Sequence, residues 1–250
     1  MNIFIGIMIP FIGTTAGAAC VYFLRQGMRQ VVQKGLLGFA SGVMIAASVW
    51  SLLIPAMDMS EGMGKLAFIP AAVGFCLGIG FLLALDRLIP HLHLDAEEPE
   101  GPSGNWKKST MLVLAVTLHN IPEGMAVGVA FAGGAFLPAV MLAFGIGIQN
   151  IPEGLCVACP LRAGGMSRKK SFFLSSLSGA VEIPAAVLGA IAATFIGSLM
   201  PWALSFAAGA MVAVTAAELI PDSFSENKPL ALCGMILGFA LMMFLDTALG

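Results

Sequence analysis

The sequence predicts an all-α integral membrane protein with eight transmembrane helices, and three observations support this fold class. Only 10% of the 250 residues are charged and 58% are apolar, whereas an ordinary soluble domain is about 25% charged. The mean hydropathy is +0.94. The apolar residues form long continuous runs, while the strands of a membrane barrel would alternate over about ten residues. A soluble protein with a large core is therefore excluded.

Eight apolar runs are long enough for a span, which takes about 20 residues to cross about 30 Å of hydrocarbon. We predict one transmembrane domain, 1–250, with spans at about 3–24, 35–57, 66–90, 110–133, 136–161, 172–199, 201–222 and 229–249. The first span is not a cleavable signal peptide, because its basic residues follow the apolar run instead of preceding it. The longest polar linker is the acidic loop 91–108.

The distribution of Lys and Arg predicts the orientation. Of the 12 Lys and Arg residues, all but Lys65 lie in the loops that follow the first, third, fifth and seventh spans, and Lys34 is among them. Loops rich in Lys and Arg stay in the cytoplasm. Both termini are therefore predicted to be extracytoplasmic, in a multi-pass protein of the cell membrane, the inner membrane of a bacterium. No basic run indicates nucleic acid, so the expected surroundings are the lipid bilayer.

Two internal similarities predict repeats. The segment FASGVMIAASVWSLLIP (39–55) resembles FAAGAMVAVTAAELIP (206–221), and LALDRL in the third span resembles MFLDTAL in the eighth. Spans one to three and six to eight would then be related, and three spans per repeat makes the two repeats cross the membrane in opposite senses. Inverted repeats around a site at mid-membrane are typical of transporters.

Two related motifs lie near the centres of the fourth and fifth spans: HNIPEG (119–124) and QNIPEG (149–154). Helical positions three and four apart share a face. His119 and Asn120 therefore lie on the face of Glu123, and Gln149 and Asn150 repeat the pattern with Glu153.

A third acid, Glu182, lies near the middle of the sixth span. A carboxylate at mid-membrane costs several kcal/mol, on the order of 3 kcal/mol on insertion scales, and no Lys or Arg is predicted at that depth. A bound divalent cation would neutralise such acids. One imidazole, three carboxylates and three amides give a mixed nitrogen and oxygen ligand set, which suits Zn²⁺, Fe²⁺, Mn²⁺ or Cd²⁺ better than an ion that prefers thiolates.

The two motifs, with the glutamate of the sixth span, resemble the ZIP family of divalent metal transporters, particularly its GufA-like branch. The likeness extends over all eight spans, including FASGVMIAASVWSLLIPA and AAELIP. The resemblance implies a 3+2+3 inverted-repeat bundle, often a homodimer, that moves metal into the cytoplasm by alternating access through a two-metal centre. The implied ligands of the first metal are His119, Glu123, Gln149 and Glu153, with Met44 close by; those of the second are Asn120, Asn150 and Glu182, with Glu123 and Glu153 bridging.

The resemblance also implies a pathway on each side of this centre. Ser51 matches an entrance position, and the expected exit ligands are Asp86, His91, His93 and Glu218. The chain departs from the family pattern at Gln149, where many relatives have His, and at Asn150, where some have Asp. A neutral amide oxygen is a weaker ligand than either.

The expected cargo is zinc first, with iron, manganese or cadmium as other candidates, and neither a cofactor nor enzymatic activity is expected. An intramembrane metalloenzyme is the first alternative, but a zinc protease would need H-E-x-x-H and a di-iron bundle would need E-x-x-H; the sequence has neither. A metal-gated channel or sensor is the second alternative, and no residue excludes it. Cys156 lies one turn beyond Glu153, and it is interpreted as a packing residue because a redox Cys-x-x-Cys site lacks its strand–helix context here.

Overall fold

The computed structural model describes residues 3–23, 28–92, 101–102, 107–195, 199–225 and 227–250. Within these residues eight helices are long and apolar enough to cross a membrane, which confirms the predicted fold class. They are α1 (Ile3–Tyr22), α2 (Gln30–Asp58), α3 (Phe68–Leu88), α4 (Lys108–Ala132), α5 (Phe136–Ala163), α6 (Arg168–Phe195), α7 (Met200–Phe224) and α8 (Lys228–Leu249).

Two helices begin earlier than the hydropathy predicts. The helix α2 begins at Gln30, so Lys34 lies inside the helix and is buried, although the sequence assigned it to a loop. The helix α6 begins at Arg168, because the side chain of Ser167 accepts a hydrogen bond from the backbone amide of Lys170 at 3.3 Å. A serine in this position satisfies one of the amides at the start of a helix that have no partner within the helix.

The helix α6 consists of two segments, Arg168–Gly179 and Glu182–Phe195. The break follows from Pro184, which has no amide hydrogen to donate to the carbonyl four residues earlier and whose ring clashes with it. Glu182 consequently lies in the first turn of the second segment, where the exposed amides of a helix start stabilise a carboxylate. The break therefore determines where the third acid lies.

Three helices contain a π-helical segment that regular hydrophobic spans do not predict. The segments are Ser48–Leu53 in α2, Thr215–Leu219 in α7 and Leu245–Leu249 in α8. Those in α2 and α7 end two residues before a proline, and they lie in the two segments that resemble each other in sequence. Single π-helical turns are frequent at functional sites. The segments in α2 and α7 contain the predicted pathway residues Ser51 and Glu218.

The most extensive helix pairs are α1 with α5, α4 with α6, α2 with α8, and α3 with α7. The central helices α2 and α7 also pack against α5 and α4, and the main apolar core lies among them. The start of α2 meets the start of α8, where Gly35 lies against Leu230, and the end of α1 meets the start of α6, where the ring of Tyr22 contacts Phe172. We call this end, which carries the Lys- and Arg-rich loops, the basic end.

Candidate metal centre

Three acids from three neighbouring helices are buried in the middle of the bundle. Glu123 of α4 and Glu182 of α6 are 0% exposed, and Glu153 of α5 is 5% exposed. Charged groups are almost never fully buried without a partner. The close approach of α4 and α6 explains part of this geometry, because a Cβ atom on Gly124 would lie 2.4 Å from the carbonyl oxygen of Glu182. Only glycine allows the two helices to come this close.

Two amides connect two of the acids. The Nε2 group of Gln149 donates to Oε1 of Glu123 at 2.7 Å, and it also donates to Oδ1 of Asn150. The Nδ2 group of Asn150 in turn donates to Oε1 of Glu182 at 2.8 Å. Thr14 of α1 adds a second donor to the same Glu182 oxygen, at 3.1 Å. A chain of acid, amide, amide and acid therefore crosses the centre of the bundle.

Several oxygens of this centre have no hydrogen-bond partner among the described residues. A buried polar atom without a partner is rare in a native structure and indicates a bound ion or water, a catalytic role or stored strain. All of them come from the two sequence motifs and the glutamate of α6. They are Oδ1 of Asn120, Oε2 of Glu123, Oε1 of Gln149, Oε1 of Glu153 and Oε2 of Glu182.

The three acids do not form a metal-binding site by themselves. Within the described part of the chain, no group of three or more His, Cys, Asp and Glu side chains is arranged so that it could hold one metal ion. The amides lie between the carboxylates, so a metal site here needs amide oxygens as well as acids. A half-turn of the Gln149 or Asn150 amide would exchange its NH₂ group for the oxygen that a cation requires.

His119 contacts an acid from another helix. Its Nε2 atom pairs with Oε2 of Glu218 in the π-helical segment of α7. The two residues were expected at different stages of the pathway, and the structure brings them together. Asn120 is fully buried and donates through Nδ2 to the carbonyl oxygen of Ser178, at 3.0 Å.

A small cavity lies between these groups and the basic end of the bundle. Its volume is about 20 Å³, and α2, α4, α5 and α7 form its walls. Its polar lining consists of His119, Glu153, Cys156, Glu218 and Asp222, and the rest of the lining is apolar. One acid of the centre, Glu153, therefore lies beside a space on the side of the basic end.

The opposite end of the bundle is closed by another polar pair. The hydroxyl group of Ser51, in the π-helical segment of α2, donates to the carboxylate of Asp246 in α8, at 2.7 Å from Oδ1 and 2.9 Å from Oδ2. Ser51 was expected at an entrance position, and it lies between the centre and the end opposite the basic loops.

The remaining predicted residues contact other groups or lie outside the described residues. Met44 is buried in α2, and its sulfur accepts from Thr215 at 3.6 Å. Asp86 lines a separate cavity at the end of α3, and His91 is buried with Nδ1 2.8 Å from the carbonyl oxygen of Ile89. His93 lies outside the described residues.

Sequence reasoning missed three polar residues of this region. Asp246 lies in the LDTAL segment, at the position that matches Asp86 in the LALDRL segment of the third span, and this internal likeness could have indicated it. Asp222 lies four residues after Glu218, so helical spacing places both on one face. Thr14 lies in an apolar stretch that carries no signal for its bond to Glu182.

Comparison with known proteins supports the resemblance. The family described as ZIP Zinc transporter matches residues 94–246. The chain is 42% identical to Zinc transporter GufA of Myxococcus xanthus, over 95% of this chain and 96% of that protein. It is 40% identical to Zinc transporter ZIP11 of Bos taurus, over 95% and 94%, and 38% identical to Zinc transporter ZIPB of Bordetella bronchiseptica, over 96% and 79%. The chain therefore belongs to the ZIP zinc transporter family.

Proposed function

We propose that the chain imports divalent transition metals into the cytoplasm, zinc first among them, by alternating access through a binuclear centre at mid-membrane. The observation that carries this proposal is the group of buried oxygens that have no partner among the described residues. These oxygens come from α4, α5 and α6, and three of them belong to the acids that a dication would neutralise. The relatives are named zinc transporters, which favours zinc over iron, manganese and cadmium.

The cargo binds through a mixed set of ligands. The first metal is held by His119, Glu123, Gln149 and Glu153, near Met44, and the second by Asn120, Asn150 and Glu182, with Glu123 and Glu153 shared between them. Binding turns the Gln149 and Asn150 amides so that their oxygens face the ions. Until then, the NH₂ groups of these amides stabilise the same carboxylates by hydrogen bonds.

In the described conformation, the path for metal out of the centre lies on the cytoplasmic side. The basic end faces the cytoplasm, so the cavity lined by Glu153 and Glu218 is the exit, and the pair formed by Ser51 and Asp246 closes the entrance. His119 binds metal in the centre and, paired with Glu218, guides it into the exit cavity. Asp86, His91 and His93 receive it further along.

Helix packing supports two units that move against each other. The tightest pairs, α1 with α5 and α4 with α6, fall within one group of four helices, and α2 with α8 and α3 with α7 fall within the other. An inverted 3+2+3 repeat predicts the same pairs. Its symmetry relates the first and third spans to the sixth and eighth, so the two pairs within each group are equivalent to each other. Access alternates when the first group rocks against the second.

The test is uptake of radioactive Zn²⁺, Fe²⁺, Mn²⁺ and Cd²⁺ into proteoliposomes. Glu123→Gln and Glu153→Gln keep the shape of the side chains and remove their charge, so we expect both to lose nearly all uptake. Glu61→Gln is the control, because Glu61 is exposed in a short 3₁₀ helix, Glu61–Leu66, outside the spans. Uptake at the wild-type rate by either centre variant would remove that acid from the proposal.

The two alternatives predict other results. A metal-gated channel would give uptake that does not saturate with metal concentration, whereas the proposal predicts saturation. An intramembrane metalloenzyme would give no uptake. His119 is the only histidine of the two motifs and pairs with Glu218. The motifs supply no second histidine, which disfavours a zinc protease site.

A further inference from the structure

Cys156 lines the cavity that lies between the metal centre and the basic end. Cys156 is 1% exposed, takes part in no disulfide, and lies one helical turn beyond Glu153 on α5. From the sequence, Cys156 is interpreted as a packing residue, which is common for a buried cysteine. A cysteine on the wall of a cavity can also act as a metal ligand.

The cavity has the size and the lining of an ion site. Its volume of about 20 Å³ exceeds the roughly 10–15 Å³ that a single water molecule needs. Besides Cys156, its polar lining comes from α4, α5 and α7 and comprises His119, Glu153, Glu218 and Asp222. A sulfur, an imidazole and three carboxylates therefore face one small space.

A second observation, independent of the cysteine, points to a cation in the same place. Glu153 lines this cavity, is 95% buried, and has an Oε1 atom without a hydrogen-bond partner among the described residues. A carboxylate oxygen in this situation accepts a metal ion or a water molecule.

We propose that Cys156 is a metal ligand of the exit cavity, acting with Glu153 and Asp222 on cargo that leaves the centre. This inference rests on the proposed function and deepens it. Zinc is commonly four-coordinate with sulfur, nitrogen and oxygen donors, so these three side chains and one water molecule complete its coordination. Cys156 and Glu153 lie on α5 and Asp222 lies on α7. Because these side chains do not form a metal-binding group as they stand in the described structure, binding requires them to rotate into the cavity.

Ligation changes the proton balance in a defined way. The thiol loses its proton to water in the cavity when the metal–sulfur bond forms, so each metal ion bound by Cys156 releases one proton. When the metal leaves for the cytoplasm, the thiolate takes a proton back from water. No oxidant or reductant is needed.

The thiol gives the cavity a preference among metals. Thiolate favours Zn²⁺ and Cd²⁺ over Mn²⁺, which carboxylates and water suit better. The oxygen-rich centre alone does not make this distinction. Cys156 therefore acts as a specificity-determining residue for the exit step.

The test is a Cd²⁺ titration of the purified protein in detergent under reducing conditions, followed by the ultraviolet thiolate-to-cadmium charge-transfer band. Cys156→Ser should lose the band and bind Cd²⁺ at least about tenfold more weakly, the lower end of what loss of even an outer-shell metal partner costs. Cys159→Ser is the matched control, because Cys159 is also buried on α5 but does not line the cavity.

A second variant keeps the test valid if Cys156→Ser folds poorly. A protein with Cys156 as its only cysteine, made by replacing Cys20, Cys76, Cys159 and Cys233 with serine, should keep the band, and Zn²⁺ should abolish it by competition. A band of wild-type size in Cys156→Ser, or no band in the single-cysteine protein, would overturn the inference.

Uptake separates this inference from the proposed function. In proteoliposomes, Cys156→Ser should raise the half-saturating Cd²⁺ concentration about tenfold or more and leave that for Mn²⁺ within about twofold. Equal changes for both metals would make the effect structural and overturn the assignment of specificity. Absence of uptake by the wild-type protein would contradict the proposed function, whereas the titration reports on the ligand directly.

Discussion

At the scale of single residues, the centre combines buried acids with amide side chains that donate hydrogen bonds to two of them. Glu123 and Glu182 each accept a hydrogen bond from an amide, and each keeps one oxygen without a partner among the described residues. An amide donor stabilises a buried carboxylate without cancelling its charge. On the proposed function, the charge that remains is what a divalent cargo would neutralise.

Exchanging one amide for an acid tests this balance. Asn150→Asp removes the donor to Oε1 of Glu182 and adds a negative charge, so we expect a loss of stability of about 1–3 kcal/mol. Zn²⁺ at about 100 times its dissociation constant should raise the free energy of unfolding by about 2.7 kcal/mol, because the ion binds only the folded state. The measurement is thermal unfolding in detergent, with and without Zn²⁺.

Asn227→Asp provides the control for this experiment. Asn227 precedes α8 and accepts from the backbone amide of Leu230 at 3.2 Å, a role that aspartate also fills. Its unfolding temperature should stay near that of the wild type and show no added dependence on Zn²⁺. At one Zn²⁺ concentration, the zinc stabilisation of Asn150→Asp should exceed that of Asn227→Asp, because a carboxylate binds the ion more tightly than an amide oxygen does. Equal stabilisation of the two variants would remove residue 150 from the ligand set.

The candidate ligand residues could be identified from the sequence because their spacing carries the signal. His119 and Glu123 share a helix face by a rule that needs no tertiary structure. The pairing of His119 with Glu218, which are far apart in the chain, depends on how α4 packs against α7, and no local pattern encodes that. Thr14 was missed for the same reason.

At the scale of elements, interruptions in the helices position the polar groups. Continuous hydrophobicity predicts the spans, because desolvation dominates in the bilayer. It does not predict the break before Glu182 or the π-helical segments, which depend on prolines and on the packing of neighbouring helices. Ser51, Glu218 and Asp246 each lie in such a segment.

The contact between α4 and α6 gives a prediction at this scale. Gly124→Ala places a methyl group 2.4 Å from the carbonyl oxygen of Glu182, so α6 must move and take the acid with it. We expect a loss of about 1–3 kcal/mol in stability, typical of overpacking, and a fall in zinc uptake. Thermal unfolding and proteoliposome uptake measure the two effects.

Gly80→Ala is the matched control on α3. No atom lies within 4 Å of an added Cβ at Gly80, so both stability and uptake should remain at the wild-type level. If Gly124→Ala behaved like Gly80→Ala, the close contact would not be what holds Glu182 in place.

At the scale of the whole molecule, orientation determines the direction of transport. The eleven Lys and Arg residues that the sequence places at the basic end predict that this end faces the cytoplasm. A protease site added at the C-terminus should then be cleaved from outside spheroplasts, and one inserted in the loop 91–108 only after the inner membrane is permeabilised. The reverse pattern would turn the exit cavity into an entrance.

The most direct test of the central claim is anomalous diffraction at the zinc absorption edge from crystals grown with Zn²⁺. The account predicts zinc peaks bound by Glu123, Glu153 and Glu182, with the amide oxygens of Gln149 and Asn150 turned toward them. Zinc found only at surface sites, with the two amides still donating to Glu123 and Glu182, would contradict it.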